Sequence, residues 1–322
     1  MKALDELFAA SRAGDAAAAW RVLELTPGLA RVTGPHPIWG GEPTALHVAV
    51  ENGRTDVAKL LLESGADPNH PSDMYDGWSP LLIAAARQSR QLVELLLSHG
   101  AHVDAWEAAA LGDLPSLEAI ITASPEVVHE RRANDAPPLH FAANVDVARL
   151  LVERGAPLDA VDKYGSTAAR FAAYGRRQRR PVVRYLIDLT GERDPWMFAA
   201  LDDVPSLAAL VADGVDVVNA HRDGINPASG FGEKPIHTAA ALGNLNALAY
   251  LVEQGADPNA AGSNGVRPLH YAAKVNSRVL VDTLLDFGAN PRLKDGEHHA
   301  TASDWARFFG NFELAAYLEE RE

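Results

Sequence analysis

One phrase recurs along this chain and constrains its fold more than any other feature of the sequence. It reads Lys234-Pro-Ile-His-Thr-Ala-Ala240, and it returns 33 residues later as Arg267-Pro-Leu-His-Tyr-Ala-Ala273. The first copy is followed by Gly255-Ala-Asp-Pro-Asn259 and the second by Gly288-Ala-Asn-Pro291. A shorter form, Thr44-Ala-Leu-His47, occurs upstream. Self-similarity at a fixed period of this size indicates a solenoid, in which each repeat buries its apolar face only against its neighbours.

The phrase resembles the signature of the ankyrin repeat, in which Thr-Pro-Leu-His-x-Ala-Ala opens a first helix and Gly-Ala-Asp-x-Asn follows a second. The resemblance covers nearly all of the 322 residues. It implies an all-α solenoid of paired antiparallel helices, joined by fingers that are β-hairpins or loops. It also implies that partners are recognised by the finger tips and by the concave face of the first helices.

The chain is predicted to contain ten repeats, several of them degenerate, when it is aligned on the histidine of the phrase. Repeats one, four and seven lack the Thr-Pro-Leu part, which indicates a block of three repeats used three times, followed by a C-terminal cap. We therefore predict one repeat domain over 1–322, with blocks at 1–104, 105–193 and 194–290 and a cap at 291–322. The residues in the histidine position are Phe8, His47, Leu82, Trp106, His140, Arg170, Trp196, His237, His270 and Asp304.

Helix ends are marked by residues with known capping chemistry. Thr44, Ser79 and Thr301 can accept a hydrogen bond from the first turn, and a proline in that turn lacks an N–H that would have no partner. Repeat five departs from this pattern, because the chain passes from His140 through Asn144-Val-Asp-Val147 into the next helix with about four residues missing. We expect a shortened first helix there and a local kink.

Composition and charge narrow the classes of function. The net charge is −14, which argues against nucleic acid as the main partner and favours a cationic protein partner. The chain has no cysteine, so disulfides and thiolate chemistry are excluded. The segment Met1 to Phe8 carries acidic residues and no apolar core, so no signal peptide is predicted. No apolar run reaches the length of a membrane span, and we expect a cytoplasmic monomer without membrane contact.

The twelve histidines do not form a recognisable metal or catalytic motif. By resemblance, His47, His140, His237 and His270 are structural, each ring tying the turn of one repeat to the next. The loop histidines show neither H-x-x-x-H nor H-E-x-x-H spacing, which a local zinc site would favour. The sequence also lacks a G-x-S-x-G motif and a P-loop. We predict no catalytic residue, no metal site and no cofactor.

Apolar and aromatic residues in long fingers are the strongest candidates for partner binding. Such residues on exposed loops are typical of interface anchors, and long inserts are normally functional or disordered. For Trp78 we keep open the alternative that it packs on the neighbouring finger. The predicted partner-binding residues are Trp39, Met74, Tyr75, Trp78, Tyr164, His221 and Phe231.

One basic cluster opposes the acidic average of the chain. It comprises Arg176, Arg177, Arg179 and Arg180, between the two helices of repeat six. Two interpretations are open, a solvated turn and an anion-binding patch.

Three functional hypotheses follow from the sequence. The first is a non-enzymatic interaction module or adaptor that binds a protein partner through its fingers and the concave helix face. The second is an enzyme, or a binder of a small molecule or metal, with a pocket between enlarged loops that contains His36, His70 and His221. The third is a passive scaffold holding two proteins. A fold does not fix a function, so the first hypothesis rests on the resemblance.

Overall fold

The chain folds into α-helices arranged in two lobes. The computed structural model describes residues 2–34, 41–72, 77–132, 134–173, 179–220 and 234–322. These residues divide into a compact N-terminal lobe, Met1–Ala168, and a compact C-terminal lobe, Ala169–Glu322. The three-block organisation predicted from the sequence stays a prediction.

The N-terminal lobe is built from successive helix pairs, each pair joined by a short turn. Repeat five differs, since its first helix is a 3-10 helix, Pro138–Phe141. The α-helices are α1 Lys2–Ala13, α2 Ala16–Leu25, α3 Ala45–Glu51, α4 Thr55–Glu63, α5 Pro80–Ala86, α6 Arg90–Ser98, α7 Ala105–Leu111, α8 Leu114–Ala123 and α9 Val145–Glu153.

The C-terminal lobe is built from pairs of a short first helix and a longer second helix. Its helices are α10 Ala168–Ala173, α11 Arg180–Thr190, α12 Pro195–Leu201, α13 Val204–Ala212, α14 Pro235–Ala241, α15 Leu245–Glu253, α16 Pro268–Lys274, α17 Arg278–Asp286, α18 Ala302–Phe308 and α19 Phe312–Glu319. The predicted all-α class of paired helices is confirmed.

The predicted caps account for where the first helices begin. The hydroxyl of Thr44 accepts from the backbone N–H of His47 at 3.4 Å, and the hydroxyl of Ser79 accepts from that of Leu82 at 3.1 Å. Pro235 and Pro268 open α14 and α16, where a missing N–H has no energetic cost. Local sequence therefore fixes the start of each pair.

The irregular repeat five has the shortened helix that its sequence predicts. The 3-10 helix ends at Phe141, and α9 begins at Val145 with Asn144 as its cap. The N–H of Ala143 donates to the carbonyl of Ala109 in repeat four at 3.0 Å. This contact replaces the hydrogen bond that a continued helix would have made. The predicted kink stays a prediction.

Leucines of neighbouring helix pairs form the core of each lobe. Each fully buried leucine contributes roughly 1.5–3 kcal/mol relative to an exposed one. In the N-terminal lobe the fully buried leucines include Leu46, Leu61, Leu81, Leu92 and Leu96, and in the C-terminal lobe Leu248, Leu251 and Leu284. Among the helices of the described ranges, none combines the length and apolarity that crossing a bilayer requires.

The fingers that the structure describes are tight turns rather than extended hairpins. In one finger the N–H of Asp162 donates to the carbonyl of Ser166 at 3.0 Å, beside an isolated bridge between Val161 and Thr167. A second is closed by the N–H of Gly262 and the carbonyl of Val266 at 2.8 Å. The tip of this second finger contacts the next finger, where the N–H of Gly296 donates to the carbonyl of Asn264 at 2.6 Å.

Candidate functional site

Two motif histidines of the C-terminal lobe, His237 in α14 and His270 in α16, each join their own helix to the finger that follows its repeat. Nδ1 of His237 accepts from the backbone N–H of Lys234 at 3.3 Å, and its Nε2 lies 2.9 Å from the carbonyl of Ala260. His270 repeats the arrangement with Arg267 at 3.2 Å and Ala300 at 3.0 Å. A ring that accepts at Nδ1 donates from Nε2 when neutral. Both rings are buried, and both nitrogens of each ring are hydrogen-bonded to backbone groups.

The motif histidines of the N-terminal lobe each show part of the same arrangement. Nε2 of His140 lies 2.9 Å from the carbonyl of Ser166, and Nδ1 of His47 lies 2.7 Å from the hydroxyl of Thr44. Burial, assisted by the nearby His70, lowers the pKa of His47 to about 4. Burial also lowers the pKa of His270. These contacts fit the structural role that the resemblance implies.

Repeat four replaces the histidine with a buried carboxylate, Glu107, which forms a cluster with Arg132 and the more exposed Asp104. The Arg132 guanidinium donates to the two oxygens of Glu107 at 2.9 and 2.8 Å and also contacts Asp104. The hydroxyl of Ser79 donates to Glu107 at 2.8 Å, and the guanidinium carbon of Arg132 lies 4.7 Å from the centre of the Trp106 ring. Glu107 is only 2% exposed.

The pKa values of the two carboxyl groups of this cluster are shifted in opposite directions. Burial and the hydrogen bond with Asp104 raise the pKa of Glu107. Burial acts to raise the pKa of Asp104 as well, but its hydrogen bond with Glu107 and the charge of Arg132 outweigh that effect and lower it. Perturbed carboxyl groups are often catalytic, but structural ion-pair networks perturb them as well. Because Arg132, Ser79 and the start of α7 use these oxygens, the cluster is structural.

The sequence alignment was wrong by one residue in repeats four and seven. Asp104 and Asp194 are the cap residues of α7 and α12, as Thr44 is for α3. The third residue after the cap is therefore Glu107 in repeat four, not Trp106. In repeat seven it is Met197, not Trp196. Both first helices reach their turn one residue earlier than α3 does, so the residue six positions before the turn is the second residue after the cap instead of the third.

Repeat seven has its own arginine and carboxylate cluster. Nε of Arg170 lies 2.6 Å from an oxygen of Glu192 and 2.7 Å from an oxygen of Asp194. Asp194 also accepts from the backbone N–H of Trp196 at 2.8 Å. The charged cap Asp194 thus ties repeat seven to Arg170 of repeat six, whereas the histidine position of repeat seven is Met197.

Two of the predicted partner-binding residues lie in the described ranges. Trp78 is half-buried against the core of its lobe, with its ring 5.3 Å from that of Phe141 at 70°. Tyr164 is half-buried in its finger, and the ammonium of Lys163 lies 5.0 Å from the centre of its ring. Their role in partner binding stays a prediction. Outside the described residues lie Trp39, Met74, Tyr75, His221 and Phe231.

The described part of the basic cluster is engaged within its own lobe. The guanidinium carbon of Arg179 lies 5.7 Å from the centre of the Phe171 ring, and burial lowers the pKa of Arg179 to about 10. Arg180 donates to the side-chain oxygen of Asn244 at 3.1 Å. Arg176 and Arg177 lie outside the described residues. The anion patch stays a prediction.

The alternative pocket of loop histidines has one member in the described ranges. Nδ1 of His70 lies 2.6 Å from the carbonyl of Pro71, and its ring stands edge-on to that of His47 at 6.1 Å. His36 and His221 lie outside the described residues. Within the described ranges, no three histidine, aspartate or glutamate side chains are grouped so that they could hold a metal ion.

Sequence reasoning missed an exposed aromatic group in the turn between α18 and α19. Phe308 is 57% exposed and Phe312 is 67% exposed, and Phe309 lies between them. The sequence does contain a sign of this group. Two phenylalanines stand directly before Gly310, whereas repeat two has the polar residues Glu51 and Asn52 before its turn glycine, Gly53.

Family models match most of the chain. A model described as ankyrin repeats (3 copies) matches residues 7–106 and 196–295. A second, described as ankyrin repeats (many copies), matches residues 139–187.

Three relatives share the repeats with this chain. An ankyrin repeat protein of Fowlpox virus (strain NVSL) is 23% identical over 76% of the chain and 41% of its own length. The ankyrin repeat and KH domain-containing protein mask-1 of Caenorhabditis elegans is 26% identical over 85% of the chain and 10% of its own length. The B-cell lymphoma 3 protein homolog of Mus musculus is 37% identical over 29% of the chain and 23% of its own length. The chain thus spans less than half the length of each of these relatives.

Proposed function

We propose that this chain, which belongs to the ankyrin repeat family, is an interaction module or adaptor that binds a protein partner through its fingers and the concave helix face that the family resemblance implies. One observation carries the proposal. The buried polar groups of the repeats, such as His237, His270 and Glu107, are occupied by hydrogen bonds that hold repeat to repeat. We therefore place the contacts with a partner on side chains that are not used between repeats, those of the fingers first.

The partner that fits best is a basic protein bound by a single copy of the chain. The net charge of −14 would steer a cationic surface toward it and would repel polyanions. The finger residues proposed to make contact are those singled out in the sequence. In the N-terminal lobe these are Trp39, Met74, Tyr75, Trp78 and Tyr164, and in the C-terminal lobe His221 and Phe231.

Site-specific crosslinking tests this proposal. A photoreactive residue placed at position 75 or 164 is expected to form an adduct with the same partner from an extract of the native host. The matched control carries the group at Glu153, which is exposed on the second helix α9. Equal adducts from Glu153 and from the fingers, or none from either finger position, would contradict a finger interface.

Affinity for the identified partner provides the quantitative test. Tyr75→Ala is expected to weaken binding by roughly 1–3 kcal/mol if it is an anchor. Trp20→Ala is the control, because Trp20 is an exposed aromatic residue on the second helix α2. Thermal unfolding of both variants separates lost contacts from lost structure.

A further inference from the structure

Two consecutive turns of the C-terminal lobe form an apolar surface, which we call the turn surface. One turn joins α16 to α17 and the other joins α18 to α19. Their exposed members are Val275, Val279, Phe308, Phe309 and Phe312. Clustered large apolar side chains at a surface mark interaction sites, whereas single ones do not.

The two turns are held together as one structure. The side-chain amide of Asn311 donates to the carbonyl of Ala273 at 2.9 Å and to that of Lys274 at 3.2 Å. Phe308 and Phe309 pack edge to face, with ring centres 5.1 Å apart. Phe309 also packs on Trp305, with ring centres 6.0 Å apart. The surface is therefore preorganised, which lowers the entropic cost of binding.

Lys274 places a positive charge within this surface. Its ammonium lies 5.3 Å from the centre of the Phe309 ring, and its half-buried position lowers its pKa. Among the described residues, no carboxylate pairs with it. The neighbouring cations differ, since Arg278 pairs with Asp282 and Arg307 pairs with Glu319. A partly desolvated cation without a counter-ion is a cost that a partner's carboxylate would remove.

We propose that the turn surface binds a peptide segment of a partner protein in which an aspartate or glutamate lies between large apolar side chains. The apolar side chains cover Phe308 and Phe312, and the carboxylate pairs with Lys274. The positive charge of Lys274 favours an acidic peptide at this surface, although the chain as a whole is acidic. A second copy of the chain is the competing occupant, and the test below separates it by self-association.

This inference rests on the proposed function as an interaction module, but it concerns a different surface. The fingers precede α16 and α18, whereas the turn surface follows them. Crosslinking from the fingers and binding at the turns are separate measurements, and either can fail without the other.

Selection from a random peptide library displayed on phage tests the inference with the full chain as bait. Some peptides should bind the wild-type chain but not the Phe312→Ser variant. We expect these peptides to carry aspartate or glutamate between large apolar residues. For a synthetic peptide of this kind, replacing its acidic residue with glutamine should weaken binding about tenfold at low ionic strength. On Lys274→Gln the acidic and glutamine peptides should bind equally.

Controls separate binding from folding. Phe312→Ser and Lys274→Gln should keep the wild-type circular dichroism spectrum, since neither Phe312 nor Lys274 belongs to the buried core. Phe287→Ser, which removes an exposed phenylalanine at the other end of α17, should leave peptide affinity unchanged. The inference is overturned by selected peptides without acidic residues, by a peptide affinity that Lys274→Gln does not change, or by self-association that Phe312→Ser abolishes.

Discussion

The guanidinium of Arg132 donates to both carboxylate oxygens of Glu107, at 2.9 and 2.8 Å, although the two residues are 25 positions apart. Glu107 occupies the third position after its helix cap, where repeats two, eight and nine have His47, His237 and His270. The ion pair thus joins repeat four to the finger that follows it. A histidine does this elsewhere by bonding to a backbone carbonyl.

Removal of Arg132 is expected to destabilise the N-terminal lobe. Arg132→Ala leaves Glu107 buried without its counter-ion, which costs about 3 kcal/mol at pH 7 in urea denaturation. The loss should be smaller at pH 5, because Glu107, whose pKa is already raised, can then bind a proton. Arg149→Ala breaks an exposed pair with Asp146 and should cost less than about 1 kcal/mol. Equal losses from the two variants would contradict a structural role for the cluster.

The contribution of His47 to the free energy of unfolding should decrease as the pH is lowered. Its pKa is about 4 in the folded chain against a reference of 6.5, so only the unfolded chain binds the proton between these values. Stability is therefore fully present above pH 6.5 and is lost as the pH falls toward 4. The difference in unfolding free energy between wild type and His47→Gln should shrink by about 2 kcal/mol from pH 7 to pH 5.

Urea denaturation at the two pH values measures this change. His102→Gln, which alters an exposed loop histidine, is the control variant. A difference for His47→Gln that stays constant between pH 7 and pH 5 would show that the buried ring does not govern acid stability.

Close approach of two fingers should make Gly265 far more sensitive than Gly243. Both have positive φ, +69° and +71°, which costs any other L-residue about 1 kcal/mol or more. A Cβ at Gly265 would lie 2.8 Å from the backbone nitrogen of Gly296, whereas nothing lies within 4 Å of one at Gly243. Gly265→Ala should therefore lose about 1–3 kcal/mol more than Gly243→Ala, as an overpacked site does. Matching melting temperatures would rule out the close contact.

Asn259 links repeats eight and nine through the backbone. Its side-chain amide donates to the carbonyl of Gly288 at 2.9 Å, and its side-chain oxygen accepts from the N–H of Asn290 at 2.7 Å. Asn259→Ala should cost about 1–3 kcal/mol, because both backbone groups lose a partner. Asn290→Ala removes only a local bond to the N–H of Arg292 and should cost less. Thermal unfolding compares the two, and the reverse order would refute the link.

Residues close together in the chain suffice to define the helix pairs and where they begin. Thr44 and Ser79 cap their helices through neighbouring N–H groups, and Pro235 opens α14. These effects depend on residues within one turn, so a periodic sequence reveals them. The shortened helix before Asn144 was predictable for the same reason, since the missing residues are visible in the chain.

Tertiary structure alone decided which side chains meet across repeats. Nothing in the sequence spacing pairs Arg132 with Glu107, places Trp78 against Phe141 or sets Lys274 over Phe309. Such contacts depend on the register with which one helix pair stacks on the next, and that register follows from the packing of many buried side chains at once. Period and caps are local properties of the chain, whereas partners between repeats are properties of the packed array.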